Sequence, residues 1–203
     1  MGFSRGTDVI DPYQERYLEH QARKRRELAS EPNLALVTLR ARRSQRVFNE
    51  QALGEAELRE VYEVIRLAPS SCNRQAILVK PVEDAEEKAE LQQLLVGGRG
   101  WLGGAAIVLL LFADMLAYKA PGENVYMPYL DAGFVGENAY LAAEALGLGA
   151  CYVNPNIREG DREEFDGLFN PRGHLFCGAV ALGRYDARAQ EPPKRELEEI
   201  FYR

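Results

Sequence analysis

The chain predicts a sheet with helices packed over it, of the α/β or α+β class. Three observations lead there. Helical and strand periodicities interleave from Leu34 to Phe201. The run Ile107 to Phe112 is continuously apolar with β-branched residues first, as in a strand buried on both faces. Pro128 to Leu146 reads as a long helix built on Ala132, Gly133, Gly136, Ala139, Ala142, Ala143 and Ala145, small residues that allow close backbone approach.

The elements follow in order. Leu34, Leu36, Val37 and Leu39 begin a helix running towards Arg42. Gly54-Glu55 starts another, with Leu58, Val61, Tyr62, Ile65 and Leu67 at helical spacing, and Pro69 stops it. Ile77, Leu78, Val79 and Val82 predict a strand, and Asp84 caps a helix to Leu95. The central strand and the small-residue helix come next. Cys151 to Val153 reads as a strand, Glu159 to Phe169 as a short helix, Leu175 to Leu182 as a strand and Lys194 to Phe201 as a C-terminal helix. Residues 1–33 differ in composition. Their mixed-charge stretch from Tyr13 to Glu31 contains Arg23-Lys24-Arg25-Arg26, so they are expected to form an N-terminal helical arm beside a domain over 34–203.

Composition narrows the function. The 203 residues are 46% hydrophobic and 28% charged, an ordinary globular balance. A net charge of -6 argues against a dedicated nucleic-acid binder. The longest apolar run, Ala105 to Ala113, is far short of the ~20 residues that span a bilayer, so no membrane partner is expected. The first residues carry no apolar signal-peptide core. Cys72, Cys151 and Cys177 form no C-x-x-C pair, so a reducing cytoplasm is the expected location. Only His20 and His174 are present, which leaves no His-rich cage, and no metal is expected.

Several segments have the chemistry of a binding site. Arg42-Arg43-Ser44-x-Arg46 places three guanidiniums and a hydroxyl at a helix end, a set that matches phosphate oxygens or equally dresses a helix C-terminus. Gly98-x-Gly100-x-x-Gly103 has the lettering of a dinucleotide fingerprint in the wrong place, after a helix and before a strand. It reads as a flexible turn, or as a loop that lies close to a flat ligand. Pro69-Ser70-Ser71-Cys72-Asn73-x-Gln75 is a polar helix-to-strand loop, and Gly147-Leu148-Gly149 a helix C-cap. Lys194-Arg195 sits at a helix start, where dipole rules favour acids, so a nearby anion would account for it. No activated nucleophile is evident.

Taken in order, Leu39 to Phe48, Ala68 to Gln75, Leu141 to Gly149, Ala181-Leu182-Gly183 and Pro193-Lys194-Arg195 resemble the FMN-dependent nitroreductase family over roughly residues 34 to 203. The resemblance implies an α+β fold: a three-layer α/β/α sandwich around a mixed, mainly antiparallel sheet, in an intertwined homodimer with FMN at the interface. It implies that Arg42, Arg43, Ser44 and Arg46 hold the phosphate and ribityl chain. It also implies that Pro69, Ser70, Ser71 and Asn73 of the other subunit line the ring. Tyr152, Val153 and Asn154 then face the N5 edge, and Lys194 and Arg195 close over the phosphate. Arg46 and Arg99 are the candidates to stabilise negative charge near N1 and C2=O. Tyr152, with an unperturbed pKa of about 10, is a poor proton relay at pH 7. The donor to N5 is therefore expected to be the backbone N–H of Asn154, then Val153, since Pro155 has none.

The implied activity is an oxidoreductase in which NAD(P)H reduces FMN and the flavin reduces a small acceptor such as a nitroaromatic or quinone. The chain departs from the family pattern at Gln75-Ala76-Ile77, where Q-P-W is usual, and in the short segment Met115 to Met127. These departures keep two alternatives open: a flavin dehydrogenase of a natural-product or peptide-like substrate, and an FMN-binding protein with little turnover. A partner-binding domain without flavin is the plainest remaining reading.

Overall fold

A computed structural model describes residues 34–119 and 122–201, together with Glu19. The expected N-terminal arm, residues 1–33, otherwise lies outside the described residues. The chain divides between Arg40 and Ala41. Helix α1, Leu34–Ala41, spans that division, and within it the Thr38 hydroxyl donates to the Leu34 carbonyl at 2.9 Å.

From Ala41 onward the order is α2 (Glu55–Arg66), β1 (Ile77–Val82), α3 (Ala85–Leu94), β2 (Ile107–Ala113), α4 (Glu123–Ala145), β3 (Gly149–Val153), α5 (Arg162–Phe169), β4 (Leu175–Gly183) and α6 (Leu197–Ile200). The sheet order is β1-β2-β4-β3, with every neighbouring pair antiparallel. A parallel bridge from Ser44 to Ala150 adds one further rung beside β3. The expected mainly antiparallel α+β architecture is therefore present.

Alternation along the central strands sends side chains to two cores. Ile107, Leu109 and Leu111 join Val180 and Leu182 under α2 and α4, with Val61, Ile65, Ala132, Ala139 and Ala143. Val108, Leu110 and Phe112 join Ala179 and Ala181 on the other face, with Leu91, Leu94, Phe165 and Phe169 from α3 and α5. Helices on both faces explain why all seven residues of β2 are buried.

Local chemistry sets the helix ends. The Asp84 carboxylate accepts from the N–H groups of Glu86 and Glu87 at 2.9 and 3.0 Å, starting α3 as expected. Glu57 accepts from the Gly54 N–H at 2.8 Å and from Arg184 at 2.7 Å, which ties the start of α2 to the chain after β4. The Gly54 bond and then Arg184 hold its carboxyl below the usual carboxylate range, against the opposing effect of desolvation.

Several boundaries differ from the sequence expectation: β3 begins at Gly149, not Cys151, and a 3-10 turn over Glu159–Asp161 precedes α5 at Arg162. Helix α4 begins at Glu123, not Pro128, because an ion pair from Arg74 to Glu123 at 3.0 Å holds the added turn. Proline in this early position removes one helical N–H without ending the helix. Helix α6 begins at Leu197, not Lys194, where the Glu199 carboxylate accepts from the Glu196 N–H at 2.9 Å.

Small residues bring α4 down onto the sheet. A Cβ on Gly136 would lie 2.9 Å from Cδ2 of Tyr152. Gly178 has φ of +136°, and a Cβ there would collide with the Tyr152 hydroxyl. Gly178 lies at the irregularity where the β2–β4 register shifts after Leu111, and this opening admits the Tyr152 ring.

Candidate functional site

The segment after α1 runs along the free side of β3. Gln45 N–H donates to the Ala150 carbonyl at 2.8 Å beside the Ser44–Ala150 bridge. Gln45 itself is buried, and its amide donates to the carbonyls of Val47 and Ala187 and accepts from the Ala189 N–H. One side chain thus fixes both the Arg42–Arg46 segment and the chain that follows β4.

On this frame the predicted residues separate by task. Ser44 Oγ lies 3.1 Å from the Tyr140 hydroxyl. The Arg42 guanidinium lies over the Tyr140 ring, 4.8 Å from its centroid, with Nε 3.7 Å from Glu137. Arg46 is exposed and reaches over the Trp101 ring at 5.9 Å; among the described residues it forms no ion pair. Arg43 turns to the carbonyls of Ala41 and Arg42 and pairs with Glu191. That pair tethers the C-terminal segment three residues before Lys194. Lys194 and Arg195 are exposed, and Arg195 donates to the Glu199 carbonyl at 2.9 Å.

Tyr152, Val153 and Asn154 lie at the end of β3. The Tyr152 N–H donates to the Tyr140 hydroxyl at 2.7 Å, and its own hydroxyl donates to the Cys177 carbonyl at 2.6 Å. Burial pushes the Tyr152 phenol up to about 12, so this group stays protonated and faces inward. Gly97 packs beside the same turn: a Cβ on it would lie 3.3 Å from Val153 and 4.0 Å from the Asn154 nitrogen. The Trp101 indole donates to the Gly97 carbonyl at 2.9 Å, and the Val96 N–H to the Asn156 carbonyl at 3.0 Å. The glycine-rich turn therefore borders Val153 and Asn154. Arg99 donates to the Gln93 carbonyl at 3.2 Å.

The Pro69–Gln75 loop is held at a different place, against the first half of α4. Cys72, Asn73 and Gln75 all have φ near +50°, a conformation that costs non-glycine residues energy and survives only under constraint. The constraint is Asp131, whose side chain is fully buried. It accepts from the Ser71 N–H at 2.9 Å and from the Tyr118 hydroxyl at 2.9 Å. Ser70 Oγ accepts from the Gln75 N–H, Asn73 from the Gln75 amide, and Ser71 Oγ from Arg74. Asp131 and Tyr140 are nine positions apart on α4, so the two clusters lie about 13 Å apart along its axis.

The sequence profile of the Nitroreductase family matches residues 39–98 and 96–184. The chain belongs to the nitroreductase family. Among its family relatives is an FMN reductase [NAD(P)H] from Bacillus subtilis, 26% identical over 182 residues, covering 83% of this chain and 72% of that one. A NADPH-flavin oxidoreductase from Vibrio harveyi is 24% identical over 170 residues, covering 80% of this chain and 70% of its own. A nitroreductase from Desulfovibrio desulfuricans, solved in complex with FMN, superposes with a TM-score of 0.73 at 26% identity, covering 85% of this chain and 98% of that one.

Sequence reasoning passed over Tyr140, Asp131, Tyr118 and Gln45. Three had a faint signal: Tyr140 and Asp131 are polar groups in a helix rich in Ala and Gly, and Gln45 is an amide between arginines. Apart from the Val47 carbonyl beside Gln45, their partners are 12 to 144 residues away in the chain, beyond any local pattern.

Asp131→Ala leaves the partly buried Ser71 N–H and the buried Tyr118 hydroxyl without an acceptor and is expected to cost about 3 kcal/mol. Asp131→Asn keeps one acceptor and should cost about half as much. Urea unfolding of the two variants measures this; equal losses would show that the acceptor is not what matters.

Proposed function

We propose that this chain is an FMN-dependent NAD(P)H oxidoreductase that passes electrons to a small acceptor such as a nitroaromatic or quinone. Family membership supports the reading, as do relatives named for FMN reduction. The observation that carries it is the Arg42–Arg46 segment bridged onto β3, with Arg42 and Ser44 on the Tyr140 platform and Arg46 without an ion pair among the described residues.

This donor set fits a phosphate ester: two guanidiniums and a hydroxyl along one extended segment, in a chain whose net charge is -6. The glycine-rich turn packs against the strand end expected to face the ring, with Gly97 close to Val153 and the Asn154 nitrogen. Bound FMN supplies redox chemistry that no side chain here can perform. In this reading Arg42, Ser44 and Arg46 bind the phosphate end, and Lys194 and Arg195 screen it. Arg43 orients the segment that bears them through Glu191. Arg99 favours negative charge on the bound ring's pyrimidine side. The Asn154 N–H donates at the ring's reactive edge, with Val153 next to it, and Tyr152 serves as packing rather than as a proton relay.

The chain acts as a homodimer in this reading, and its partner's Pro69, Ser70, Ser71 and Asn73 cover the ring. The separation of the two clusters along α4 supports a second subunit's loop completing the site. So do the exposed apolar side chains of that helix, among them Tyr126, Leu130 and Phe134. Residues 34–203 form the flavin domain, residues 1–33 an added arm, and the cytoplasm is the working location.

The visible spectrum tests the cofactor directly, since bound flavin gives bands near about 450 nm. Replacing both Arg42 and Arg46 by Ala should lower FMN affinity by roughly 100-fold or more, with a much smaller change for riboflavin, which lacks the phosphate. Equal losses for the two ligands would remove the phosphate assignment. Light scattering should give twice the 22.8 kDa chain mass, and Phe134→Asp should shift the population towards monomer and lower flavin occupancy. A monomer that binds FMN tightly would end the shared-site reading. Asn154→Ala, which keeps the backbone donor, should reduce as fast with NADPH as the parent chain does, whereas Asn154→Pro should be markedly slower at equal flavin occupancy. Loss of reduction in Asn154→Ala would move the role to the side chain.

A further inference from the structure

Tyr140 is nearly buried on α4 at 8% exposure, yet its hydroxyl meets two groups from two other segments. The first is the Tyr152 N–H at 2.7 Å. Strand β3 is an edge of the sheet, so its outward N–H groups need acceptors from elsewhere. The neighbouring segment gives β3 one rung, in which the Gln45 N–H donates to the Ala150 carbonyl, and two residues later the Tyr140 oxygen accepts from the Tyr152 N–H.

The second group is Ser44 Oγ at 3.1 Å, a hydroxyl–hydroxyl contact in which either oxygen can own the shared proton. Burial raises the Tyr140 phenol above its ordinary pKa, so it stays protonated across the neutral range. The third contact uses the ring: the Arg42 guanidinium lies 4.8 Å above it while Glu137, one turn earlier on α4, holds Nε at 3.7 Å. Phe would satisfy the packing of the ring but would leave the Tyr152 N–H without this acceptor and Ser44 without its hydroxyl partner. The hydroxyl is explained by what it aligns.

We infer that Tyr140 is the positioning residue that makes this site selective for a phosphorylated ligand, by fixing Ser44 and Arg42 in one orientation and anchoring both to β3. The inference rests on the reading of Arg42–Arg46 as the phosphate-binding segment. Long side chains lose rotamer freedom when they grip an anion, and a platform that orders them beforehand reduces that cost. Tyr140 touches the binding side chains and not the ligand, so its effect is on discrimination between ligands with and without phosphate.

The test is a titration of the full chain, freed of flavin by dialysis, with FMN and with riboflavin, followed by quenching of flavin fluorescence. Tyr140→Phe removes one oxygen and keeps the ring. It should weaken FMN about tenfold and riboflavin less than about twofold. Ser44→Ala should change the FMN-to-riboflavin ratio to a similar degree. The double variant should be no more than about twofold weaker for FMN than the weaker single, because the two hydroxyls act as one unit.

A Tyr140→Phe chain that loses both ligands equally, or neither, overturns the inference, and so does a fully additive double variant. Should Tyr140→Phe not fold, Ser44→Ala carries the test from the solvent side, and an unchanged ratio there is equally fatal. Failure of the underlying reading looks different: the parent chain would then bind FMN no more tightly than riboflavin, whatever stands at position 140.

Discussion

The close approach of α4 to the sheet is the contact on which the rest of this structure depends. Gly136 has no side chain where Tyr152 needs room, and Gly178 opens the opposite wall for the same ring. Because the helix lies this low, the Tyr140 hydroxyl reaches the Tyr152 N–H and the Ser44 hydroxyl together. A bulkier residue at Gly136 would push the helix away or the tyrosine out, and both clusters on α4 would shift with it. Packing of small residues, usually a matter of stability alone, here sets the geometry of a polar site.

The electrostatics follow from how the arginines are partnered. Arg74, Arg184 and Arg188 each pair with a carboxylate from a distant segment, Glu123, Glu57 and Glu144. These pairs join the loops to the helices. Arg43 similarly ties the C-terminal segment through Glu191. Arg42 holds its acid only loosely, at 3.7 Å, and Arg46 faces an indole. Positive charge is therefore neutralised where the fold needs cross-links and left available along one strand edge. On the proposed function, this is what lets an acidic chain hold a phosphate.

The second cluster on α4 works by constraint. Three left-handed non-glycine residues within four positions would relax in an isolated peptide. Asp131 holds them through one amide, and the Tyr118 hydroxyl on its other oxygen stops the carboxylate from rotating away. Arg74 closes the arrangement from outside, bonded to Ser71 and to Glu123 at the start of α4. A loop held this firmly presents a fixed surface, the property expected of a segment that packs on a rigid planar ligand.

Much was legible from residue order alone. The β2 run, the amphipathic α2, the Asp84 cap and the small-residue character of α4 are local signals, and local signals decide secondary structure wherever neighbours agree with them. The Arg42–Arg46 segment and the Ser70–Asn73 loop are each ordinary for a helix end and a turn, and stood out only through the order of motifs that resembles the family. Tertiary structure decided the rest. The start of α4 moved to Glu123 because Arg74, far away in the chain, pairs with it. The separate tasks of Arg42, Arg43 and Arg46 are invisible in their spacing, since Glu137, Tyr140, Glu191 and Trp101 make the difference. The phenol of Tyr140 and the carboxylate of Asp131 gain meaning only when strands and loops remote in sequence reach them. A chain records which groups it has; hydrogen bonds and ion pairs between distant segments determine which of those groups are left to meet a ligand.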